Sequence, residues 1–118
     1  ALKAIDVIIN EGLLENVKNV SPYFHTRLKE FNNYTNIGET RGIGLMAALE
    51  MVKDKKNKIY FESELSMGDK VANQCINNGL ICRPLGPAIV LCPQFIITEK
   101  EIDLMFDHLH KTLKTIFN

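Results

Sequence analysis

Residues 79–98 read GLICRPLGPAIVLCPQFIIT, and this stretch decides the fold. It holds two short apolar runs, Leu80–Leu85 and Ala88–Cys92, rich in Ile, Val and Leu and split by Gly86-Pro87. Such runs around a tight Gly-containing connection predict a β-hairpin. A single charge, Arg83, sits inside the first run between Cys82 and Pro84. A guanidinium stays protonated in a protein, so burying it without an anion is very costly. Three fates are open to Arg83: it reaches solvent, it pairs with a protein carboxylate, or it awaits the carboxylate of a ligand.

Helices are expected on both sides of the hairpin. Upstream, Met67, Val71 and Cys75 recur every four residues within Ser66–Asn77, with Leu65 and Ala72 widening the stripe, and Asn77-Asn78-Gly79 closes it. Downstream, Thr98 and Glu101 have the spacing of a capping box. Ile102, Met105, Phe106, Leu109, Leu113, Ile116 and Phe117 then follow as one apolar face. His108 and His110 are two positions apart and so point to different sides of that helix, which separates them as metal ligands.

Further upstream, Ile43, Leu45, Ala47, Leu49 and Met51 alternate with smaller or polar residues through TRGIGLMAALEM, residues 40–51. Period two predicts a strand. A glycine-rich phosphate cradle at Arg41–Gly44 would need a helix N-terminus directly after it, and none is expected. Arg41 reads instead as a strand-end or ion-pair charge. Asn32–Glu39 reads as a loop, as does Asp54–Asn57. The chain opens with two helical stripes. Leu2, Ile5, Ile8 and Ile9 end at Asn10-Glu11-Gly12, and Val17, Val20, Phe24, Leu28 and Phe31 mark Glu15–Phe31. Pro22 interrupts the second stripe without changing its phase, which predicts one kinked helix, with a break at Ser21 as a new N-cap the alternative. His25 lies just off this stripe and is expected at the surface.

The 118 residues carry 14 basic and 14 acidic side chains, a balance that offers no broad basic face for nucleic acid. Lys53–Lys58 (KDKKNK) is the one positive cluster and reads as a solvated loop. No apolar run approaches the about 18 residues of a membrane span. Cys75, Cys82 and Cys92 fit no zinc spacing and read as free thiols of a reducing compartment, although Cys82 and Cys92 could lie opposite each other across the hairpin. No residue reads as catalytic or as a metal ligand. The element order predicts an α+β fold: a small antiparallel sheet of about three strands with helices packed on one face. Its strands are expected at 40–52, 80–85 and 88–92, with apolar side chains exposed on the uncovered face.

Three stretches carry a resemblance that runs over essentially the whole chain: Thr40-Arg41-Gly42-Ile43-Gly44-Leu45-Met46, GLICRPLG into AIVLCPQFIIT, and the Thr-Glu-x-Glu-Ile-Asp opening of the last helix. In these the chain resembles the C-terminal small domain of class III (fold type I) pyridoxal-phosphate-dependent aminotransferases. The CRPLG and VLCP wording is most similar to the ω-amino acid or amine:pyruvate transaminases. Pro87 and Gln94 depart from the family's usual pattern.

The resemblance implies transfer of an amino group from an amine or ω-amino acid to pyruvate or another 2-oxo acid. It makes Arg83 the mobile arginine that binds the substrate carboxylate and withdraws for uncharged groups. It implies a large domain upstream of Ala1 that holds pyridoxal 5'-phosphate and its Schiff-base lysine, with residues 1–12 as the end of an inter-domain helix. It further implies a cytoplasmic homodimer with no nucleic-acid or membrane partner. The fragment alone is expected to be inactive. The alternative is a non-catalytic α/β module that binds a small carboxylate or a protein partner through Arg83.

Overall fold

The computed structural model describes residues 1–117. Helices α1 (Leu2–Asn10) and α2 (Leu13–Lys29) lead through a 3-10 turn at Glu30–Asn33 into strands β1 (Ile37–Ile43) and β2 (Met46–Met51). After a loop and a 3-10 turn at Ser63–Leu65 come α3 (Met67–Asn77), β3 (Arg83–Leu85), β4 (Ala88–Leu91) and α4 (Glu99–Phe117). All strand pairings are antiparallel, in the order β1-β2-β4-β3. The α+β expectation holds, with one strand more than the sequence suggested.

The extra strand comes from residues 40–51, which form a hairpin where one strand was expected. Gly44, at φ +56°, turns the chain after Ile43, and Ile43 pairs with Met46. The first strand starts at Ile37, inside the stretch that read as a loop. The reversal also changes faces: Leu45, Ala47, Leu49 and Met51 are buried, whereas Ile43 is 75% exposed. The hairpin at 80–92 is present but shorter, because Leu80–Cys82 lead into β3 without pairing.

Helices α2, α3 and α4 cover one face of the sheet. The α4 stripe of Ile102, Phe106, Leu109 and Leu113 is fully buried against Phe24 and Phe31 and the inward side chains Ile37, Leu49, Met51 and Ile89. Phe106 lies 5.2 Å from Phe24 and 5.5 Å from Phe31, centroid to centroid. Each such side chain removed from water contributes roughly 1.5–3 kcal/mol. The capping box forms as expected: the Glu101 carboxylate accepts from the Thr98 amide at 2.9 Å, and the Glu101 amide donates to the Thr98 hydroxyl at 3.3 Å.

Pro22 lies within α2 with its ring exposed, so one helix spans it. An ion cluster then ties α2 to α4. Arg27 is only 15% exposed and reaches Glu30 at 3.1 Å, Asp107 at 2.9 Å and Asp103, which also accepts from the Tyr23 hydroxyl. By contrast α1 buries none of its residues, and Leu2, Ile5 and Ile9 face solvent. No described helix is long and apolar enough to cross a membrane.

Candidate functional site

In an antiparallel sheet, directly paired residues point to the same face. Arg83 pairs with Val90, Val90 with Ala48, and Ala48 with Arg41, so these four form one row across all four strands. The neighbouring rows bury Leu49, Ile89, Ala47 and Leu91 against the helices, which puts the Arg83 row on the uncovered face. That face is apolar around its charges. Ile43 is 75% exposed, Met46 53%, Leu85 61% and Ile81, on the approach to β3, 86%. A shallow groove of about 260 Å³ runs along it, lined by Arg41, Ile43, Met46, Ala48, Leu85 and Val90.

The two arginines of the row differ. Arg41 stands within 3.1 Å of a Glu39 oxygen and 2.9 Å of a Glu50 oxygen. Glu50 in turn accepts from the Tyr60 hydroxyl, and this bond, followed by that of Arg41, holds the Glu50 carboxyl below the usual carboxylate range. Arg41 is therefore an ion-pair residue, the reading its position at the strand end suggested. Arg83 is exposed at the start of an edge strand, and among the described residues no carboxylate lies within ion-pair distance of it. Of the three fates left open by the sequence, pairing with a protein carboxylate does not occur among the described residues. At roughly 4.8 Å per strand spacing, the two arginine backbones are about 14 Å apart.

The β3–β4 turn fixes where Arg83 points. Leu85 pairs with Ala88, leaving a two-residue loop in which Gly86 takes φ +58° and Pro87 follows. A positive φ at the first position and the fixed φ of proline at the second suit the type II′ hairpin turn. Pro87 thus fits the turn, and its carbonyl accepts from the Met51 amide at 2.9 Å, tying the tip to the end of β2. The first turn of α3 packs on the same loop. A Cβ at Gly68 would overlap the Gly86 carbonyl oxygen and lie 2.9 Å from that of Ala88. Gly68 was not singled out by sequence reasoning; a glycine inside an otherwise regular helical stripe was the available signal.

The remaining candidates are occupied in packing. His25, half-buried, hydrogen-bonds the Gly44 carbonyl at 2.9 Å and so anchors the β1–β2 turn. His110 stacks on Phe31 at 4.0 Å and bonds Tyr34 at 2.8 Å and Glu30 at 3.2 Å. In the Lys53–Lys58 segment, Lys53 pairs with Glu62 at 2.8 Å and Lys55 donates to the Asn32 carbonyl at 2.7 Å. Cys82 and Cys92 do not face each other. The register of Arg83 with Val90 sets Cys82 level with Leu91, and Cys82 is half-buried whereas Cys92 is exposed. No group of His, Cys, Asp or Glu among the described residues is arranged to hold a metal.

The family model for class-III aminotransferases matches residues 1–113. The chain is similar to the PMP-bound form of an aminotransferase from Vibrio fluvialis, with 56% identity and a TM-score of 0.94 over 98% of this chain and 26% of that one. It is equally similar to an omega-aminotransferase from Paracoccus denitrificans, at 55% identity and a TM-score of 0.94, with 98% and 26% covered. The putrescine–pyruvate aminotransferase of Pseudomonas aeruginosa is 34% identical over 96% of this chain and 25% of its own. The chain thus spans about a quarter of the length of the curated relatives it matches.

Proposed function

As the chain belongs to the class III aminotransferases, we propose that it supplies the substrate-carboxylate subsite of an ω-type transaminase. The full enzyme moves an amino group from an amine or ω-amino acid to pyruvate or another 2-oxo acid. The observation that carries this reading is Arg83: exposed, on an uncovered apolar face, and without a carboxylate partner among the described residues. A planar guanidinium takes a carboxylate through two parallel hydrogen bonds, and its long stem lets it withdraw when an uncharged group needs the space. The likeness to the Vibrio fluvialis and Paracoccus denitrificans proteins supports the ω-type subgroup.

Pyridoxal phosphate would supply the electron sink for amino transfer. The residues of this chain do not fit a complete site for it. Every lysine is exposed and none belongs to the Arg83 row, and Arg41, the other cation there, is already paired. The cofactor and its lysine belong, in this reading, to the longer part of the enzyme. That part would also cover the apolar sheet face and the bare stripe of α1. The enzyme is read as a cytoplasmic homodimer; its free cysteines suit a reducing compartment.

The test is amino transfer by the full-length protein with pyridoxal phosphate, an arylalkylamine and pyruvate, followed by alanine formation. Alanine produced at turnover rates supports the reading. Carboxylate binding without any amino transfer, across aromatic amines, diamines and ω-amino acids, would return the chain to the non-catalytic module.

A further inference from the structure

A second cavity, of about 280 Å³, lies at the tip of the β3–β4 hairpin and shares no lining residue with the groove on the uncovered sheet face. It opens between the Gly86-Pro87 turn, the first turn of α3 and the segment that leads into the 3-10 turn at Ser63. Tyr60, Phe61, Met67 and Pro87 form its apolar walls, and other parts of the fold hold each of them. The Tyr60 hydroxyl donates to Glu50, and Phe61 stacks on Phe117 at 6.0 Å between centroids. Met67 packs on the core, and the Pro87 carbonyl accepts from the Met51 amide. The rim is acidic, with Glu62 and Asp69. Lys53 is committed to Glu62, at 2.8 Å, and holds that carboxyl below the usual carboxylate range. Among the described residues no cation lies within ion-pair distance of Asp69.

We propose that this cavity is a binding site for small primary ammonium ions with an apolar, ring-sized body. The ammonium would sit at Asp69 and the body between Tyr60, Phe61, Met67 and Pro87. Charge decides the sign of the ligand. The positive end of α3 by itself favours an anion, but its first turn already carries Asp69. With Lys53 set against Glu62, one carboxylate charge is left over, and a ligand carboxylate would be repelled. The aromatic walls add to this choice, because a ring face attracts a cation and not an anion. Volume decides the size. Sites for drug-sized ligands start at roughly 300 Å³, so this one takes a single ring with a short arm. Walls that the fold already holds need little further ordering on binding. The inference stands on the cavity and its charge and is independent of the role given to Arg83.

The experiment titrates the isotope-labelled chain with 2-phenylethylammonium and follows its backbone amides by NMR, beside the same titration with 3-phenylpropanoate. The amine is expected to shift the amides of Tyr60, Phe61, Met67 and Gly86 saturably, with a Kd on the order of millimolar. The acid, of similar size and opposite charge, should bind at least about tenfold more weakly. Asp69→Asn should weaken amine binding about threefold to fivefold, as for an exposed charge pair, and Asp69→Glu should restore most of it. Arg83→Ala, which alters the carboxylate subsite, should leave this titration unchanged. Three results would overturn the proposal. They are equal affinity for amine and acid, amine binding that Asp69→Asn does not weaken, and no saturable shift at those amides up to about 50 mM amine.

Discussion

Arg83 and Arg41 stand in one cross-strand row, linked through Val90 and Ala48, and only Arg41 is held by carboxylates. The same face therefore carries a neutralised cation at one edge and an unneutralised one at the other. An exposed pair such as Arg41–Glu50 is worth about 0–1 kcal/mol, so its part is to spend the Arg41 charge locally rather than to hold the sheet together. What remains available to an external anion on this row is Arg83.

Gly68 should be intolerant of even one added carbon. Alanine improves helix propensity by about 0.5–1 kcal/mol relative to glycine. At this position, however, its Cβ overlaps the backbone oxygen of Gly86, which no side-chain rotation can relieve. Overpacking of this kind costs roughly 1–3 kcal/mol, so the net effect of Gly68→Ala is a loss of stability. Urea unfolding should show a lower midpoint with an unchanged slope; a midpoint equal to or above the parent's would contradict the close approach.

Arg27 should matter more as a fork than as a charge. Its three carboxylate partners are 41–69% exposed and can rehydrate when it is removed, which limits the loss. Arg27→Ala is expected to cost about 1–2 kcal/mol, well short of breaking a fully buried pair. Arg27→Lys should recover less than half of that, because an ammonium cannot bridge several acceptors in one plane. Thermal unfolding of both variants reads this directly.

Glu50 gives the fold an acid-sensitive contact. Its folded-state pKa is depressed, by Tyr60 first and Arg41 second. The contribution is therefore complete above the unfolded-state value of about 4.3 and is lost as pH falls through the lower folded value. Glu50→Gln should be less stable than the parent at neutral pH, and the gap should narrow below about pH 4. A gap that is constant across this range would show that the carboxylate's ionisation plays no part.

How much of this was legible beforehand follows from how local each signal is. The β3–β4 hairpin, the capped α4 helix and the place of Arg83 rest on short-range rules: Gly86-Pro87 at a turn, Thr98 and Glu101 at a helix start, one charge in an apolar run. The β1–β2 hairpin escaped because apolar residues at 43, 45, 47, 49 and 51 keep period two straight through the turn. Only Gly44 marked the reversal, along with a length well beyond the usual five or six residues of a strand. Gly68 depends on α3 packing against the hairpin, and its one local signal, a glycine inside a helical stripe, does not say what lies against it. The family likeness is what proposes a substrate for Arg83, where chemistry alone left three fates open.

The central claim, that Arg83 binds the substrate carboxylate, is tested most directly by Arg83→Ala in the full-length enzyme, measured as separate half-reactions. Losing a two-bond charge-assisted contact costs roughly 2–4 kcal/mol. The kcat/KM for alanine, pyruvate or β-alanine should accordingly fall on the order of a hundredfold. An uncharged arylalkylamine should lose far less, and the melting temperature should stay within about a degree because no carboxylate among the described residues pairs with Arg83. Equal losses for alanine and the uncharged amine, or a clear fall in melting temperature, would contradict the account and remove Arg83 from the site.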